Sequence, residues 1–328
     1  MFDKTKPMNL GDIFNITINL IKETFLRNLI IASIFFIPAG IVFAFGFDYF
    51  ISTIMNSVKT SIENGALSAN QDFSWDIVGG LSVYGLVFIA LMLSTIAVTI
   101  GVTYIGCKAM NGIKISVYES IQKIFSIALI RTIGLSIMLV VVFCALFGFP
   151  FIFFILAQVC DILILSFIGL LALIAALIFI VFFFIRWYFA YVAIVCEDLP
   201  VFRAFGKSFA LVKNYWWRTF GLIILISITV QFAVSMVTTP LSFIVMWDFI
   251  SEYFKLIASG DFSQGDPNKI LSIMGSFGYS FGIMIAITSI LQYILAPLFT
   301  VTLYYDLRIR KNEFKDDNNS LIEEPTIV

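Results

Sequence analysis

The sequence predicts an all-α integral membrane protein with six transmembrane helices, and three observations predict it. Sixty per cent of the 328 residues are hydrophobic and 12% are charged, whereas a soluble domain is nearer half apolar and about a quarter charged. Mean hydropathy is +1.02. Six stretches (29–47, 77–107, 132–160, 162–185, 219–247 and 270–305) contain no charged residue, and crossing the hydrocarbon takes about 20 apolar residues. Finally, Lys and Arg are sorted. Of the 20, all but Lys59, Lys255 and Lys269 fall in alternate connections: the N-terminus, the second and fourth loops, and the tail. Short basic loops stay cytoplasmic, so both termini are expected in the cytoplasm.

The first span is expected at about 29–50. An amphipathic interfacial helix should precede it, with Leu10, Ile13, Phe14, Ile18, Ile21 and Phe25 on one face and Asn9 as N-cap. Its first apolar run opens too late for a signal peptide, so it is read as a span. Beyond it Ile51, Ile54, Met55, Val58 and Ile62 continue a helical stripe that ends at Asn64-Gly65. The second span is expected at 77–106. A second interfacial helix follows, with Val117, Ile121, Ile124, Phe125 and Ala128 as its apolar stripe and Ser116 and Glu119 at capping-box spacing. The third and fourth spans, 132–157 and 162–186, turn back at Gln158 to Asp161.

In the fourth loop Asp198 is read as a cap and Pro200 as sitting near the first helical position. Val201, Ala204, Phe205, Ser208, Leu211 and Val212 then form a third amphipathic stripe. The fifth span is expected at 219–247, followed by an outer helix through Phe249, Ile250, Tyr253, Phe254 and Ile257. The sixth is expected at 274–305. Residues 1–311 are expected to form a single membrane domain, and the polar, charge-dense 312–328 a disordered tail. The layout suggests three repeats of interfacial helix plus two spans, at roughly 9–110, 115–190 and 199–311.

Composition excludes several chemistries. There is no histidine, which removes the commonest metal ligand and general base. No nucleotide loop, metal cluster or nucleophile–base set is visible. No cofactor, metal, catalytic residue or nucleic-acid partner is therefore expected. Cys107 and Cys196 are assigned to the cytoplasmic face, Cys144 to a span and Cys160 to the outside, so no disulfide is expected. Asp161 is the carboxylate nearest to mid-depth, at a turn.

Polar atoms concentrate in spans five and six. Ser227, Gln231, Ser235 and Thr239 recur every four residues, as do Ser272, Ser276 and Ser280. Gln231 and Gln292 fall at similar depth and are expected to face one another, either as helix contacts or as a cavity lining. Gly278 and Gly282, extended by Ala286, form a small-residue stripe for close helix packing. Pro38, Pro150, Pro240 and Pro297 fall within spans, where a kink is expected. Arg203, Lys207, Lys213 and Arg218, with Trp216 and Trp217, are candidates for contact with anionic headgroups.

Glu197-Asp198, Ala204-Phe-Gly-Lys-Ser208, Leu211-Val212-Lys213 and Trp216-Trp217-Arg218-Thr-Phe-Gly221 resemble the fourth loop of a known family. Pro297-Leu298, the run Leu303 to Arg310, and Asn9-Leu-Gly-Asp-Ile-Phe14 are similar to its ending and its start. That family is the membrane domain associated with bacterial glycerophosphoryl diester phosphodiesterases. The likeness is most specific over 197–221 and 297–311. It implies a stand-alone membrane relative in a bacterial inner membrane. It imports no enzyme, because the family's activity belongs to a separate soluble barrel with acidic metal ligands and histidines. The expected role is a non-catalytic module that binds membrane lipid or an unidentified membrane or cytoplasmic protein. A transporter or channel for a lipid or small apolar solute through spans five and six is the alternative, and an intramembrane enzyme using Glu197, Asp198 and Asp306 comes third.

Overall fold

The computed structural model describes residues 6–63, 75–258 and 267–314. Among the described residues ten helices follow in order: α1 (Leu10–Glu63), α2 (Trp75–Met110), α3 (Val117–Ile124), α4 (Ile127–Cys160), α5 (Leu163–Trp187), α6 (Ala190–Glu197), α7 (Val201–Val212), α8 (Trp216–Val245), α9 (Trp247–Ala258) and α10 (Pro267–Arg310). Among the described residues six helical segments are long and apolar enough to cross a membrane: Leu10–Ile54, Val78–Met110, Ile127–Cys160, Leu163–Glu197, Trp216–Val245 and Phe277–Arg310. The protein is an all-α, multi-pass membrane protein.

Local signals set most boundaries. Ser116 and Glu119 form a capping box at the start of α3, and Asn9 and Asp12 exchange the same pair of bonds at α1, at 3.0 and 2.8 Å. Asp161 ends α4 in the left-handed region, φ 55°, where short polar side chains are tolerated. It is exposed, and it makes the expected turn into α5.

The first interfacial helix is a correction. The amphipathic segment, the first span and its extension are one continuous helix of 54 residues, about 80 Å long at 1.5 Å per residue. Its buried face is not the expected stripe. Ile13, Thr17, Leu20, Thr24, Asn28 and Ile31 are buried, while Leu10, Ile18 and Phe25 are exposed. Thr17 and Thr24 donate to Ile13 and Leu20 carbonyls of their own helix, both at 2.7 Å. Hydroxyls satisfied in this way are cheap to bury, and apolar side chains are cheap to leave in lipid. The three-unit layout changes with it, because α3 and α7 have no separate counterpart before the first span. Phe125 is also corrected: it caps the end of α3 and is 67% exposed.

Asp198 does not cap α7. It lies in the left-handed region, φ 54°, and terminates α6, while Pro200 occupies the N-cap of α7 with no side-chain cap bond. The break between α5 and α6 is bridged from α7: Ser208 Oγ accepts from Phe189 N–H at 3.2 Å and donates to the Arg186 carbonyl at 2.6 Å. The amphipathic face of α7 is as read from spacing, with Ala204, Phe205, Ser208, Leu211 and Val212 buried. Residues 315–328 of the expected tail lie outside the described residues. Glu313 and Phe314, by contrast, are ordered against α10.

The chain divides into two compact units. Unit 1 comprises Met1–Thr24, Ile100–Ser227 and Ala296–Val328, and unit 2 comprises Phe25–Thr99 and Ile228–Leu295. The division sorts charge: every Lys and Arg except Arg27, Lys59, Lys255 and Lys269 belongs to unit 1. In unit 2, α1 and α10 approach through small residues. A Cβ added to Gly282 would lie 2.7 Å from the Gly40 carbonyl oxygen and 2.9 Å from Ala44 Cβ. One added to Gly40 would lie 2.8 Å from Ala286 Cβ. Aromatic rings fill the same unit, with Phe43 within 5.7–6.5 Å of Phe47, Tyr84 and Phe281.

Candidate functional site

The last turn of α10 organises the polar end of unit 1. Asp306 is fully buried. Its carboxylate accepts from Met8 N–H at 2.9 Å, from Arg218 Nη1 at 2.6 Å and from Arg310 Nε at 3.0 and 3.1 Å. The two guanidinium groups then converge on the Met8 carbonyl, at 3.1 and 2.6 Å. A buried carboxylate between two arginines is electrically satisfied, and its ligands tie the N-terminal segment, α8 and α10 together.

A second cluster is built on Tyr304 and Arg308, two residues to either side of Asp306. Glu197 accepts from the Tyr304 hydroxyl at 2.5 Å and pairs with Arg308 at 3.4 Å; Lys207 stands 3.9 Å from it. Glu313 pairs with Lys207 and with Arg308, both at 2.8 Å. The Asp198 carboxylate pairs with Lys123, and the Asp198 carbonyl accepts from Arg131. Glu197, Asp198 and Asp306 thus each face cations. Among the described residues no group of three or more Cys, Asp or Glu is placed to hold a metal.

The absence of a disulfide, expected from the sequence, is overturned. Cys107 at the end of α2 and Cys196 in α6 are bonded, with Cα atoms 6.0 Å apart. The expectation rested on compartment. A sequence separation of 89 hides the proximity that the folded unit creates. Beside it the Tyr305 hydroxyl accepts from Asn111 at 2.8 Å and donates to the Cys107 carbonyl at 3.3 Å. Cys144 and Cys160 are free and exposed.

The headgroup candidates separate into two kinds. Lys207 and Arg218 are held in ion pairs, and Trp216 donates from its indole to the Phe182 carbonyl at 3.4 Å. Arg203 and Lys213 are exposed, and the side chain of neither is paired among the described residues. Trp217 is 78% exposed and Phe202 79%. Arg186 carries no signal in the sequence beyond its place at the end of a span. Its guanidinium lies over the rings of Phe182 and Phe209, 4.2 and 4.0 Å from their centroids.

The polar stripe of α8 is not packed inward. Ser227, Gln231 and Thr239 are exposed and Ser235 is half-buried. The adjoining face, Ile226, Val230, Val234 and Thr238, is buried. Gln231 donates to Ser235 of its own helix at 3.4 Å, and Gln292 is half-buried. Among the described residues no hydrogen bond joins the two amides. Ser280 is buried, and the side chains of Ser272 and Ser276 lie outside the described residues. Gly278, Gly282 and Ala286 line the contact with α1, where Gly40 and Ala44 are small-residue partners that sequence spacing alone did not flag.

Residues 119–306, more than half of the chain, match a family described as a domain of unknown function (DUF7847). No curated protein matches, and no solved structure matches.

Proposed function

Because the chain belongs to the DUF7847 family, whose description assigns no activity, we propose its role from its own residues: a non-catalytic module of a bacterial cytoplasmic membrane that docks anionic lipid at the α7–α8 surface. Both termini lie in the cytoplasm in this reading, as the sorting of Lys and Arg requires. One observation carries it. Among the described residues Arg203 and Lys213 are exposed with unpaired side chains, in the same stretch of chain as the exposed rings of Phe202 and Trp217, whereas Lys207 and Arg218 are neutralised in ion pairs. Basic side chains near an anionic surface contribute about 1 kcal/mol each, and exposed aromatics settle at headgroup level. The resemblance to the phosphodiesterase-associated membrane domain supports a stand-alone module of this kind. A protein partner with an acidic surface would use the same cations.

The test is lipid retention by the full chain in nanodiscs that mix phosphatidylcholine and phosphatidylglycerol. Arg203→Glu with Lys213→Glu should lower enrichment of the anionic lipid several-fold at low salt. Raising the salt should erase the difference, because exposed charges are screened beyond about 8 Å at physiological ionic strength. Equal enrichment in variant and wild type would refute the reading.

A second reading is favoured by the exposed polar stripe of α8: a path for a lipid or small apolar solute along spans five and six. Solute flux in liposomes that Gln231→Leu abolishes would support it, and unchanged flux would remove it.

A further inference from the structure

Among the arginines of unit 1, Arg131, Arg218, Arg308 and Arg310 each reach an oxygen acceptor, and Arg203 lies open to solvent. Among the described residues Arg186 does neither. It is half-buried in the last turn of α5, and its Nε is buried without a hydrogen-bond partner. The rings of Phe182 and Phe209 lie against its guanidinium. Trp216 packs on Phe182 at 6.0 Å and is fixed there by its bond to the Phe182 carbonyl. Contact over ring faces is attractive for a guanidinium, but it uses none of the five in-plane N–H donors. Of those donors Nε is the one buried without a partner among the described residues, and an unsatisfied buried donor is costly.

A tetrahedral anion with paired oxygens satisfies such a fork best, and at this depth the abundant one is the lipid phosphate. We propose that Arg186 seats the phosphate of an anionic lipid headgroup, with Phe182, Phe209 and Trp216 walling the adjoining glycerol and chain. This deepens the lipid-docking reading and rests on it. It moves the specific contact, though, from the exposed Arg203 and Lys213 to a partly desolvated residue whose bond resists screening.

The experiment follows the full chain through transfer from phosphatidylglycerol-containing nanodiscs into detergent at high salt, with bound lipid counted by native mass spectrometry. Wild type should keep a phosphatidylglycerol. Arg186→Gln should lose it, with affinity down about tenfold, the size expected for a charge-assisted bond. Arg186→Lys should recover only part, because an ammonium keeps the charge without the fork. Arg203→Glu with Lys213→Glu should leave this high-salt lipid in place while losing the salt-sensitive enrichment. Wild-type retention by Arg186→Gln would overturn the inference and leave the surface reading standing. Displacement by inorganic phosphate would overturn the lipid assignment in favour of a soluble phosphate. A measurement that needs no variant is tryptophan quenching by dibrominated lipids. If phosphatidylglycerol quenches wild type no better than phosphatidylcholine, the inference fails.

Discussion

Asp306 has no exposed surface and three donor residues: Met8 and Arg218 from distant parts of the chain and Arg310 from the next turn of its own helix. Removing one member of such a set leaves charge uncompensated where water does not reach. Asp306→Asn should therefore destabilise the protein by about 3–5 kcal/mol, read as a lowered thermal unfolding midpoint in detergent. Arg218→Ala should act in the same direction, and the double variant should lose less than the sum, since both act on one network. Ser116→Ala removes the bond from Glu119 N–H and the exposed bond to the Glu119 carboxylate, and should cost only about 1 kcal/mol.

Glycines in the helices are not equivalent. At Gly282 an added methyl meets the Gly40 carbonyl, which is backbone and gives way only if α1 and α10 separate. Gly282→Ala should cost about 1–3 kcal/mol by overpacking. A methyl added at Gly148, in α4, would meet nothing within 4 Å, so Gly148→Ala should be neutral or stabilise by up to about 1 kcal/mol. Thermal unfolding of the two variants side by side distinguishes a packing requirement from a general intolerance of alanine.

Across the molecule, the Cys107–Cys196 bond joins α2 to α6 within unit 1. Without reductant, denatured protein should take up maleimide at Cys144 and Cys160 alone; after reduction all the cysteines should react. Cys107→Ser should lower stability by about 4–5 kcal/mol in the chain-entropy account of a loop this long. The charge partition makes a prediction at the same scale. Reporters fused after Asn111 or Lys213 should be cytoplasmic and those after Glu63 external; the same side for all three would refute the topology.

The amino-acid order alone determined the six spans, because hydrocarbon demands apolar runs of a fixed length and charge interrupts them. It also determined the caps that depend on neighbours three residues apart, as at Ser116 and Glu119, and the amphipathic face of α7. Tertiary structure decided which face of α1 is buried, since apolarity reports contact with lipid as readily as contact with protein. It decided that α1 runs unbroken, that Asp198 closes one helix instead of opening the next, and that Cys107 finds Cys196. The cage around Asp306 draws in Met8 and Arg218, and the ring-walled setting of Arg186 draws in Phe209 and Trp216, residues tens to hundreds of positions away. No local pattern encodes such meetings; only the packing of helices brings those groups within reach.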